Sequence, residues 1–145
     1  MRVLVQRVSY ASCTVEKEVV GKIDKGYLLL IGFGLEDDES KCEILAKKII
    51  NLRIFNDEEG KMNLDLKQVN GSILAISQFT LYANSKKGNR PSFTEAMKGE
   101  KANYLYEYFL SCLKGHDINL EKGIFGADMK IDLCNDGPVT ILLEE

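Results

Sequence analysis

Read by its apolar and polar positions, the chain shows both of the periods that secondary structure imposes. The opening MRVLVQRV reads as a strand, and ASCTVE followed by EVVGKID reads as a hairpin turning around Lys17. GYLLLIGFG, from Gly26 to Gly34, is a short continuous apolar run bounded by glycines, the pattern of a buried strand. The period then changes. LEDDES offers acidic N-cap candidates, after which Cys42, Leu45, Ala46 and Ile49 recur at i, i+3, i+4 and i+7, predicting a helix with one buried face. NLRIF returns to a strand pattern, NDEEGK is a turn, and SILAISQFTL predicts a second buried strand. A polar loop from Asn84 to Ser92 leads to a second helix. There Ala102, Leu105, Tyr106, Phe109 and Leu113 share a face, and Gly115 stands where a C-cap belongs. ADMKIDLC alternates, with Met129, Ile131 and Leu133 on one side, and PVTILLEE closes the chain as a strand.

With no repeat, low-complexity tract or linker between them, these elements predict one α+β domain over residues 1–145. The expected architecture is a set of curled, mostly antiparallel sheets or a partial barrel, with two main helices packed on it. A chain of 145 residues fits one domain and buries a sizeable core. A partial barrel leaves sheet edges that need cover, and dimerisation is one way to supply it.

Composition adds exclusions. Hydrophobic residues make up 45% and charged residues 28%, which rules out wholesale disorder. No apolar run reaches the roughly 18 residues of a membrane span. The first residues lack the apolar core and small-residue cleavage site of a signal peptide. Cys13, Cys42, Cys112 and Cys134 are scattered and form no CxxC, so they read as reduced thiols in a cytoplasmic protein. The net charge of −3 argues against a chain that coats nucleic acid indiscriminately. Its distribution is uneven, however. Between Leu66 and Thr94 there is no Asp or Glu, while Lys67, Lys86, Lys87 and Arg90 all fall in that window. KKGNR reads either as a solvated loop or as a local anion or phosphate contact.

The usual catalytic constellations are missing. A catalytic metal site needs about three His, Cys or carboxylate ligands. The one histidine, His116, follows the second helix, where a surface or capping role fits it. Ser77 and Thr80 are candidate nucleophiles, but no base is in reach unless His116 folds back towards them. There is no GxSxG, no Walker loop and no GxGxxG. The carboxylate pairs Asp37-Asp38, Glu58-Glu59 and Glu144-Glu145 lie in turns or at the terminus, where solvated charge is expected. An enzyme built this way must work with backbone donors, orientation and groups brought by the substrate. The strand end Ser77-Gln78-Phe79-Thr80 offers such donors, although Ser-Gln also serves simply to end a strand. Asn135-Asp136-Gly137-Pro138 reads as a turn into the last strand.

Taken together, MRVLVQRVSYASCTV, NLRIFNDEEGKMNLDL, SQFTLYA with RPSF after it, FGADM and NDGPVT closely resemble the D-aminoacyl-tRNA deacylases, also called D-tyrosyl-tRNA deacylases. The resemblance covers essentially the whole chain. It implies a homodimer that hydrolyses the ester between a D-amino acid and the 3′ end of tRNA, and that removes glycine mischarged on tRNA-Ala. It implies that the backbone around Ser77, Gln78, Phe79 and Thr80 holds the ester carbonyl and that Phe79 contacts the terminal adenosine. It further implies a cis Gly137-Pro138 peptide that reaches into the partner subunit's pocket and binds substrate there, with Met129 of FGADM also on the substrate side. Arg7 then either braces the Gly-Pro loop or forms a surface ion pair, and Lys86, Lys87 and Arg90 become tRNA backbone contacts. The mechanism implied is water activated with help from the ribose 2′-hydroxyl, Thr80 being the competing nucleophile. No cofactor, metal or membrane enters the expectation. TEAMKGEK after RPSF departs from the alanine-rich, proline-containing stretch common in the family, and Cys134 stands at a commonly aliphatic position. The alternative is a module that binds the tRNA 3′ end without catalysis.

Overall fold

One long strand organises the rest. In the computed structural model, which describes residues 1–145, β1 (Arg2–Val15) turns at Glu16 and Lys17 into β2 (Glu18–Ile23). Both turn residues have positive φ, 49° and 74°, the backbone of the tight turn that matches strand twist. β3 (Gly26–Gly32) continues along the same side of β1. β1 therefore pairs β2 through Ala11–Val15 and β3 through Arg2–Val8. On its other side β1 pairs β8 (Lys130–Glu144) antiparallel, from Arg2 opposite Glu144 to Thr14 opposite Lys130. The second half of the sheet is parallel: β6 (Ser72–Ser77) lies beside β3, and β7 (Leu120–Lys122) beside β6.

The sheet curls until β2 meets β7. A Cβ on Gly21 would stand 2.9 Å from Lys122 O, so only glycine lets the two backbones come this close. The mostly antiparallel partial barrel expected from the pattern is thus a nearly closed mixed sheet.

Alternation across β3 and β6 explains their continuous apolar runs, because both faces of these strands are covered. Tyr27, Leu29, Ile73 and Ala75 join the larger core, together with α1 (Glu39–Ile50) and α2 (Gly99–Lys114). Leu28, Leu74 and Ile76 point the other way, into the curl, with Val8, Ala11, Cys13 and Ile23. The helices follow their predicted faces. Cys42, Leu45, Ala46 and Ile49 are buried on α1, and Ala102, Leu105, Tyr106, Phe109 and Leu113 on α2. Asp38 caps α1, its carboxylate accepting from Lys41 N. No helix is long and apolar enough to cross a membrane.

Three local readings change. SILAISQFTL is strand only to Ser77; after Gln78 the chain winds into a 3-10 helix, Phe79–Tyr82. Of NLRIF only Phe55 is strand; with Asn56 it forms β4 (Phe55–Asn56), in a two-stranded ribbon with β5 (Met62–Leu64). The carbonyls of Leu52 and Ile54 there accept side-chain hydrogen bonds from Tyr27 and Arg7. Gly115 does end α2, but in right-handed rather than left-handed geometry, with φ −59°. All four cysteines are free.

Phe109 is fully buried where α2 packs on the sheet. Phe109→Ala is expected to lower stability by about 3–5 kcal/mol. Urea unfolding should show this as a lower midpoint with an unchanged slope.

Candidate active site

β6 leaves the sheet through one last ladder bond, from Gln78 N to Ile31 O at 2.6 Å. The amides of Phe79 and Thr80 open the 3-10 helix, so they have no acceptor inside it. The strand end forms one wall of a cavity of about 390 Å³. Ser77, Gln78 and Phe79 line it from this side, Met97, Lys98 and Gly99 from the entry to α2, and Phe125, Gly126, Ala127 and Met129 from the loop before β8. Phe79 is 51% exposed, unusual for a phenylalanine, and its ring rests edge-on against Phe93 at 5.1 Å. Gln78 Nε2 donates to Thr80 Oγ1.

The side-chain hydrogen bond of the Thr80 hydroxyl is with the Gln78 amide, which is not a base. His116 precedes Asn119, whose amide donates to Ser72 Oγ at the start of β6. The length of β6, a six-residue strand rising about 3.3 Å per residue, separates that end from Ser77. The thiols are no better suited as nucleophiles. Burial raises Cys13 and pushes Cys42 up to about 12, which keeps both protonated at neutral pH.

The far end of the 3-10 helix is held by residues that pattern reading passed over. Arg2 Nη1 donates to Leu81 O at 2.8 Å, and its guanidinium lies 4.5 Å from the centre of the Tyr82 ring. The Tyr82 hydroxyl donates to Asp37 Oδ2. Asp37, read from the sequence as solvated charge, is instead 4% exposed and receives the Met1 ammonium, Gly34 N and Lys41 Nζ. Burial pushes its carboxyl upward, but those donors outweigh burial and hold it below the usual carboxylate range. An acidic pair in a turn carries no mark of this role.

Gly137-Pro138 lies elsewhere, and the peptide bond between them is cis. Between Asn135 opposite Val8 and Thr140 opposite Gln6, β8 departs from the β1 ladder. Arg7 fills the space beneath. It is 6% exposed, donating from Nη1 to Ile54 O at 2.6 Å and from Nε to Asp136 O at 3.2 Å. A Cβ on Gly137 would stand 2.7 Å from Arg7 Nη2, and the φ of +115° also favours glycine. Asn135 closes the excursion: with its amide nitrogen facing the main chain, it donates to Arg7 O and Val139 O, both at 3.0 Å. Gly137 and Pro138 are exposed and do not line the cavity of their own chain. Lys86, Lys87 and Arg90 occupy an exposed loop closed by paired Asn84–Ser92 backbone bonds, and none forms an ion pair.

A nearly closed α+β sheet with a mostly apolar cavity at a strand end defines a class that known proteins share. Residues 4–144 match the family model described as D-Tyr-tRNA(Tyr) deacylase. The chain is 54% identical over 144 residues to a D-aminoacyl-tRNA deacylase of Lactobacillus gasseri, covering 99% of each chain. It is also 54% identical to one of Staphylococcus saprophyticus, covering 99% of this chain and 95% of that one. Among solved structures it superposes on the "c-Myc DNA Unwinding Element Binding Protein" with a TM-score of 0.93 and 42% identity, over 100% of this chain and 99% of that one. A second, titled "Structural Analysis of a probable eukaryotic D-amino acid tRNA deacylase", shares the fold with a TM-score of 0.82 at 16% identity, covering 98% and 97%. The chain belongs to the D-Tyr-tRNA(Tyr) deacylase family.

Asp37→Asn removes the counter-charge of a buried ammonium and is expected to cost about 3 kcal/mol at neutral pH. The folded carboxyl titrates below its unfolded value near 3.9. Its contribution is therefore complete above that pH and lost as pH falls through the folded pKa. The gap in urea midpoint between wild type and variant should accordingly narrow towards pH 3.

Proposed function

We propose that this protein hydrolyses the ester joining a D-amino acid to the 3′ end of tRNA, and that it also clears glycine mischarged on tRNA-Ala. The observation that carries this reading is the strand end at Ser77–Thr80, where uncommitted backbone amides adjoin a largely apolar cavity lined by no His, Asp or Glu. Family membership supports the substrate class.

In this reading the backbone around Ser77, Gln78, Phe79 and Thr80 stabilises the tetrahedral oxyanion, and the exposed Phe79 ring packs on the terminal adenosine. Water attacks the ester carbonyl with help from the ribose 2′-hydroxyl. The carbon–oxygen bond to the 3′ oxygen breaks, and that oxygen takes up the proton. Phe79 and the loop cations Lys86, Lys87 and Arg90 hold the tRNA.

Selection among amino acids falls to Gly137-Pro138 of a second copy of the chain, inserted into the cavity near Met129. The exposure of these two residues and their absence from their own chain's cavity support a homodimer with shared sites. Their carbonyls accept from the substrate ammonium, Arg7 bracing them from below. With the ammonium held there, an L side chain is driven into the wall and a D side chain points out. Glycine presents nothing to reject. The reaction requires no cofactor and belongs to the cytoplasm, where charged tRNA is used.

A second reading is a non-catalytic module for the tRNA 3′ end. The 42% identity to a chain described as a DNA-element binding protein favours it, as does the acid-free stretch with its unpaired cations. Release of labelled tyrosine from D-Tyr-tRNA and L-Tyr-tRNA, side by side with EDTA present, separates the two. The deacylase releases tyrosine from the D ester alone, whereas the binding module releases none and holds charged and uncharged tRNA alike.

Thr80→Ala is expected to retain activity within about tenfold of wild type, because the hydroxyl has no base to activate it. Complete loss with an intact circular dichroism spectrum would instead make Thr80 the nucleophile.

A further inference from the structure

The cavity contains one formal charge, and it belongs to a residue with no assigned role. Of its twelve lining residues, Lys98 alone is ionised. The side chain is exposed and takes part in no ion pair or side-chain hydrogen bond, although Glu95 and Glu100 are close in sequence. No carboxylate of its own chain therefore neutralises it, unlike Lys41, Lys61, Lys122 and Lys130, which are paired. Its backbone is fixed by what flanks it. Met97 N donates to Phe33 O at 2.8 Å, and α2 begins at Gly99, so the Lys98 side chain is rooted between two anchored points at the cavity wall.

An aminoacylated 3′ end is electrically polar. It carries a positive α-ammonium at the ester and a negative phosphodiester one nucleoside away. A lone cation in an otherwise uncharged cavity repels the first and attracts the second. We propose that Lys98 is a substrate-binding residue that pairs with the phosphodiester adjoining the terminal nucleoside and thereby fixes which way round the ester enters. This rests on the deacylase reading above, with Ser77–Thr80 at the ester end. Lys98 takes no part in the chemical step.

The test compares two esters of D-tyrosine: D-Tyr-tRNA, and D-tyrosyl-adenosine, which has no phosphate. In Lys98→Gln the KM for the tRNA ester, divided by the KM for the nucleoside ester, is expected to rise about three- to fivefold, as for a solvent-exposed ion pair. The plot of log(kcat/KM) for tRNA against log salt should become shallower by roughly 0.7, one single-strand phosphate contact. Lys98→Arg should restore both. An unchanged ratio and slope would overturn the proposal, and so would an equal loss on both esters, since that places Lys98 at the ester or in the fold. If wild type releases no tyrosine, it is the deacylase reading that has failed. Salt-dependent binding of uncharged tRNA by wild type and Lys98→Gln then still decides the phosphate contact by the same change in slope.

Discussion

The pairing of β1 with β8 is the constraint on which the rest of the molecule depends. β1 is shared: β2 and β3 take one side in succession, and β8 takes the other along almost its full length. Where the β8 ladder is regular, it closes the sheet. Where it breaks, at Arg7, it ejects Asp136 to Pro138. The buried guanidinium is then the scaffold for this excursion, donating to Asp136 O, which the interrupted ladder leaves open, and to Ile54 O just before β4. An apolar side chain there would leave the buried Ile54 carbonyl unpaired.

The cavity arises from a second interruption. β6 is held in the sheet on both sides up to Ala75 and then loses β7, so its last residues enter a 3-10 turn while still anchored by Gln78 to Ile31. The opposite end of that turn is clamped by Arg2, Tyr82 and Asp37. Burial of the Tyr82 hydroxyl and the nearby Asp37 charge push its pKa up to about 12, so it remains a hydrogen-bond donor across the neutral range. A short helix fixed at both ends gives its first amides a set direction, as a preorganised oxyanion site requires.

Much of this was legible in the residues. The helical faces and the buried strands follow from period alone, because burial on both faces writes a continuous apolar run. Ser77-Gln78 announced the end of a strand by putting two polar side chains where a core needs none. The strand reading failed just beyond, because Phe79, Thr80 and Tyr82 have strong strand propensity and the loss of β7 as a neighbour overrides it. Asp37 and Asn135 were illegible for another reason. Each acts through partners far along the chain, the Met1 ammonium in one case and the Arg7 carbonyl in the other, and local pattern carries no long-range pairing. Lys98 was invisible until α2 and the loop before β8 were brought together around it.

The architecture also imposes an order of events during synthesis. β1 leaves the ribosome well before its partner β8, since more than a hundred residues separate the end of one from the start of the other. At about 5–20 residues per second the interval is on the order of ten seconds. Through that time the hairpin of β1 with β2 and β3 can form, while the edge meant for β8 stays open. β8 therefore acts as a latch, and the Arg7 scaffold under Gly137-Pro138 is completed only once that strand has emerged.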